Sequence, residues 1–166
     1  MPTTVAGRFE EAEARCAEAD GPFQRVGAHH ATAPRTLGLW TIRLTQGREA
    51  EIEADVRAVH RAVGAPVTVA PALVLARLGR VEEMRAMGFP TRPVADHLYG
   101  MELDHRAGLS VLLDGRSTAR LLVGHLLPPR EQFAGTAGGA CARRPLAQAL
   151  GDLYRFLGEE RRAVEV

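Results

Sequence analysis

HLYGMELDHRAGLSVLLDGRSTARLLVGHLL, residues 97–127, is the stretch whose period decides the fold. Read two residues at a time, it divides into three strands, His97–Leu103, Leu109–Leu113 and Thr118–Leu127. Asp114-Gly115-Arg116-Ser117 between the last two carries the turn chemistry of a hairpin. This reading predicts an antiparallel meander. The fold class that follows is α+β: a mostly antiparallel sheet with amphipathic helices packed on one face, in a single domain spanning residues 1–166.

The flanking segments fit that frame. Thr4–Ala19 places Phe9, Ala12, Cys16 and Ala19 at helical spacing, and Asp20-Gly21-Pro22 is expected to end the helix. Thr36–Thr45 carries apolar groups on both faces of an alternating pattern and is read as an inner strand. Glu49–Val63 is the clearest helix, because Ile52, Val56, Val59 and Val63 fall on one stripe and the acids precede the bases along the macrodipole. Pro66–Ala70 is read as a short strand. Pro71 opens a further helix, with Gly79 as a break and Gly88-Phe89-Pro90 as a stop. Pro128-Pro129 ends the meander, a glycine-rich loop follows, and Pro145 begins a helix with Leu146, Leu150, Leu153 and Leu157 on one side.

Composition narrows the chemistry. All 21 basic residues among 166 are arginine, with no lysine and no asparagine. Schiff-base lysine chemistry, covalent pyridoxal phosphate and a Walker A clamp are thereby excluded, since each needs an ε-amine. A net charge of +1 with interleaved signs and few aromatic residues argues against nucleic acid as a partner. No apolar run approaches the roughly 18 to 20 residues that span a bilayer, and the N-terminus lacks signal-peptide order, which predicts a cytoplasmic protein without a membrane partner. Cys16 and Cys141 are far apart and belong to no metal-ligand spacing. No motif names a cofactor.

Three groups of residues could carry function. His125 shares a predicted strand face with Leu121, Val123 and Leu127, where an imidazole either packs in the core or looks into a cavity as a general acid or base. His97 and Tyr99 fall on one face of the neighbouring strand and are its candidate partners, against a bland alternative of core packing. The loop Gly135–Arg144 joins free backbone N–H groups at Gly138 and Gly139 to the guanidiniums of Arg143 and Arg144, a combination suited to phosphate or carboxylate. Arg35 beside Trp40 is a further way to hold a planar anion. The pairs Asp96-His97 and Asp104-His105 hold metal-ligand types, but adjacent strand residues face opposite ways, so no metal site is assigned.

Arg80–Leu103 is similar to the late helix, Gly-Phe corner and strand of GNAT acyltransferases, while Thr45–Glu51 lacks their glycine-rich pyrophosphate loop. The hairpin ending at Leu126-Leu127-Pro128 is similar to strands of chorismate-lyase-like and UTRA domains, without a carboxylate in Thr118–Leu127. Neither resemblance carries a site across. The reading that follows is a small-molecule enzyme of a metabolic or natural-product pathway, with histidine acid/base chemistry on an anionic substrate held by arginines. A non-catalytic ligand-binding or regulatory domain and a degenerate acyltransferase-like domain are the alternatives. An uncovered sheet face would imply a homodimer.

Overall fold

The protein is described by a computed structural model covering residues 6–25, 33–64, 67–88, 92–96, 98–135 and 141–166, with side chains except those of 17, 19–25 and 33–35. Its centre is a helix, α4, Val69–Arg77, in which every side chain from Val69 to Ala76 is buried. A helix apolar all round must be enclosed on all sides. Around it pack α2 (Ala33–Gln46) through Trp40 and Leu44, α3 (Glu53–Val63) through Val56, and α5 (Val81–Ala86) through Met84, with Ile52 after a single 3₁₀ turn at Glu49–Glu51. α1 (Phe9–Arg25) lies against α2.

A second core joins α6 (Tyr99–Leu112), α7 (Arg116–Leu126), α8 (Leu146–Leu157) and α9 (Glu160–Glu165). It is built from Leu103, Leu122, Leu126, Leu146, Leu150 and Leu153, with Ala107, Ala119, Ala149 and Ala163 where backbones come close. α6 belongs to both cores, giving Leu109 to the first and Leu103 and Ala107 to the second. α8 follows from its sequence: Pro145 stands at its N-terminal boundary, and Gly158, left-handed at φ 82°, stops it. Between α7 and α8, strands β1 (Phe133–Gly135) and β2 (Ala142–Pro145) form an irregular antiparallel pair, with Phe133 opposite Pro145 and Gly135 opposite Ala142.

The expected α+β fold with its antiparallel meander is therefore corrected. Nine α-helices, one 3₁₀ turn and one two-stranded ladder make up the regular structure of the described residues. The stretch expected to form strands after residue 97 forms α6 and α7. Asp114 and Gly115 supply the expected turn chemistry, but they end a helix: Asp114 is left-handed at φ 51° and the Gly115 N–H reaches back to the Ser110 carbonyl at 2.8 Å. That six-to-one bond is the Schellman pattern of a helix C-terminus. The predicted inner strand Thr36–Thr45 is likewise helix, with the hydroxyls of Thr41 and Thr45 donating to the carbonyls one turn back at 2.8 and 2.7 Å. Within Pro66–Ala70, the described residues turn into α4 instead of forming a strand.

Other boundaries shift less. α1 runs past Asp20-Gly21-Pro22 to Arg25. Gly79, at φ 76°, separates α4 from α5, and α5 ends at Ala86 before Gly88. With no extended sheet, the uncovered sheet face that suggested a homodimer is gone. Among the described residues no helix is long and apolar enough to cross a membrane.

Candidate functional site

Helical spacing assembles the site. On α6, Asp104, Ala107, Gly108, Val111 and Leu112 fall on one strip, and the last four line a cleft of about 440 Å³. Asp152, Arg155 and Phe156 of α8 line its other side, Arg143 and Arg144 of β2 its inner end, and Arg77 of α4 a further wall. Asp104 is one turn deeper on the strip and wholly removed from solvent.

Its two carboxylate oxygens are divided between two arginines. Arg143 donates to one, and the Nε of Arg144 donates to the other at 2.5 Å. Consecutive strand residues face opposite sides, so the reach of the two arginine stems, more than the pleat, brings both guanidiniums to one acid. Arg144 continues outward to Asp152, which also accepts from Arg155 at 3.0 Å. Arg77 donates to Glu49 at 2.6 Å and to the Leu44 carbonyl at 2.9 Å. Four guanidiniums thus meet three carboxylates in and just behind the cleft, leaving one positive charge in excess. The Nε of Arg143 is buried and has no hydrogen-bond partner.

The electrostatics follow from this burial. Desolvation pushes the Asp104 carboxyl up, but the charges of Arg143 and Arg144, with a smaller contribution from His105, outweigh it and hold the group below its ordinary value. Burial likewise pulls Arg144 down, while Asp104 and Asp152 more than restore it. His105, beside Asp104 but buried, is pushed down to about 4: desolvation dominates, and Arg143, Arg77 and Arg144 add to it against the attraction of Asp104. It is neutral at pH 7.

Of the residues singled out from the sequence, two pairs meet. Arg143 and Arg144 converge on Asp104. The Tyr99 hydroxyl and the Nδ1 of His125 lie 3.1 Å apart, from the first turn of α6 to the last turn of α7. His125 is nevertheless exposed, and the residues expected to share its face are split by the helix: Leu121 is 71% exposed, whereas Val123 packs against the second core. The two pairs do not form one centre, since neither Tyr99 nor His125 lines the cleft that holds Arg143 and Arg144. Trp40 is buried in the first core with its indole N–H unpartnered, and it does not line the cleft. His97, Gly138, Gly139 and the side chain of Arg35 lie outside the described residues. Among those described, no group of three or more His, Cys, Asp or Glu side chains is placed to hold a metal ion.

Asp152, Arg155 and Arg77 escaped the sequence reading, and Asp104 entered it only as a metal-ligand type beside His105. A signal existed for Asp104: a carboxylate followed by Ala107, Gly108, Val111 and Leu112 at i+3, i+4, i+7 and i+8 is an acid on an apolar helical stripe, visible only at a period of 3.6. No protein family, curated protein or solved structure matches the chain.

Proposed function

We propose that the chain is a ligand-binding domain for a small organic anion with an apolar body, held in the cleft between α6, α8 and β2. One observation carries this reading: arginines 77, 143, 144 and 155 share a cleft with Val111, Leu112 and Phe156. Ligand sites are mostly apolar concavities of roughly 300–1,000 Å³ with a few placed polar groups, and this cleft has that size and that mixture. Asp104 fixes Arg143 and Arg144 before any ligand arrives, which lowers the ordering cost of binding. Calorimetric titration with octanoate and with octylamine tests the reading. Octanoate should bind saturably, at least fivefold more weakly to Arg155→Ala, and octylamine should not bind. Absence of saturable octanoate binding, or equal binding of the amine, would overturn it.

The Tyr99–His125 hydrogen bond supports a second reading, histidine acid/base catalysis at the α6–α7 surface, without the arginine clamp. Hydrolysis of p-nitrophenyl acetate should then fall to the uncatalysed rate in His125→Gln. An unchanged rate removes this reading.

A further inference from the structure

Within the cleft the two outer carboxylate contacts differ in kind from the inner ones. Asp104 is fully buried and shared by two guanidiniums, so nothing from solvent can take its place. Asp152 lines the cleft, its side chain is 39% exposed, and it is held by Arg144 on one oxygen and Arg155 on the other. Arg155 is itself more than half exposed. The Arg155–Asp152 pair is open to water and therefore weak, while Arg144, 19% exposed, stays anchored on Asp104 when its contact to Asp152 is given up. The cleft therefore already contains a planar two-oxygen anion, supplied by the chain, in the position where an external anion would meet one N–H from each of two guanidiniums.

We infer that the ligand of this cleft is a monocarboxylate that binds by displacing the Asp152 carboxylate from Arg144 and Arg155. The inference rests on the reading of the cleft as an anion site. Geometry supports a carboxylate, because the arrangement presents one guanidinium to each oxygen of one planar group. Charge supports a monoanion: the cleft and its backing hold a single positive charge in excess, which one carboxylate neutralises, whereas a phosphate monoester brings about −1.5 to −2 charges. The apolar part of the ligand has its surface ready, since Val111 and Leu112 remain 40% and 51% exposed beside the arginines. Burying them under an alkyl or aryl group is favourable in proportion to the area covered.

Calorimetric titration of the full chain with octanoate and with octyl phosphate, in wild type, Asp152→Ala and Asp152→Asn, tests the inference. Octanoate should bind wild type more tightly than octyl phosphate does, and about tenfold more tightly still to Asp152→Ala, because the internal competitor is gone. Asp152→Asn, which keeps the shape without the charge, should also tighten octanoate and guards against a folding defect in the alanine variant. Formate should raise the Tm of Asp152→Ala by refilling the vacated position and leave wild type unmoved. Unchanged or weaker octanoate binding in both variants, or preference of wild type for octyl phosphate, overturns the inference. If wild type still binds octanoate through Arg155, the anion reading survives that result. If wild type binds neither probe, both fail.

Discussion

The Nε of Arg144, near the end of β2, donates across 2.5 Å to the carboxylate of Asp104, in the middle of α6, where the acid is wholly removed from solvent. The bond ties the second strand of the hairpin to the helix shared by both cores. Removing one partner of a buried ion pair strands the other's charge, which costs about 3–5 kcal/mol. Asp104→Ala should lose that much in urea denaturation at pH 7. Combining Asp104→Leu with Arg143→Met and Arg144→Met should recover much of the loss, because apolar groups of similar volume need no partners. A loss under about 1 kcal/mol for Asp104→Ala would show that the pair is not sealed from water.

His105 sets the acid limit of stability. Its imidazole has an ordinary value of 6.5 and is lowered to about 4 in the fold, chiefly by burial and then by Arg143, Arg77 and Arg144. Between these values the unfolded chain binds the additional proton, so stability rises with pH through this window and is lost as pH falls through it. The full difference amounts to about 3 kcal/mol, absent above pH 6.5 and complete near pH 4. Asp104, held below its ordinary 3.8, adds its own loss only at more acid pH. Urea midpoints at pH 7.5, 6 and 5 should therefore decline in wild type and decline much less in His105→Gln. Equal slopes in the two proteins would refute the assignment.

Leu121 and Leu122 discriminate the helical from the extended reading of α7. Alternation puts Leu121 inside with Val123, His125 and Leu127; the structure exposes Leu121 and leaves Leu122 only 2% accessible, in line with Ala119 and Leu126. Leu122→Ala should cost about 2–5 kcal/mol, whereas Leu121→Ala should change stability by no more than about 0.5 kcal/mol. The reverse order in thermal or urea unfolding would restore the strand.

Much the same contrast explains what could be read from the sequence. Glu49–Val63 and Leu146–Leu157 were legible because one face is apolar and the other is wet, so the 3.6 period stands out. α6 is buried on several sides, from Met101 and Leu103 to Leu109 and Ser110, and a helix with little exposed face has no clean period. α2 fails for a related reason: Trp40, Thr41, Ile42 and Leu44 are all buried, and its β-branched residues favour strand when judged locally. The site was half legible. Arg143 and Arg144 stood out as adjacent guanidiniums, but the acids that organise them lie 39 and 40 positions upstream, for Asp104, and eight downstream, for Asp152, distances that only the packed helices bring together.

Gly100 and Gly135 face each other where the hairpin crosses the start of α6, and they should respond oppositely to alanine. A Cβ at Gly100 would lie 3.5 Å from the carbonyl oxygens of Phe133 and Gly135, an ordinary contact, on a residue already in helical conformation. Alanine there gains helix propensity and should stabilise by up to about 1 kcal/mol. A Cβ at Gly135 would instead overlap the backbone carbonyl oxygen of Cys141, across the ladder from it. A peptide group has no rotamer through which to yield, so the strands must part, at about 1–3 kcal/mol, the usual cost of overpacking. Because β2 carries Arg143 and Arg144 to Asp104, Gly135→Ala should also weaken octanoate binding, whereas Gly100→Ala should leave it unchanged. Thermal unfolding together with the calorimetric titration checks both halves, and a Gly135→Ala protein as stable as wild type would mean that the hairpin does not close as described.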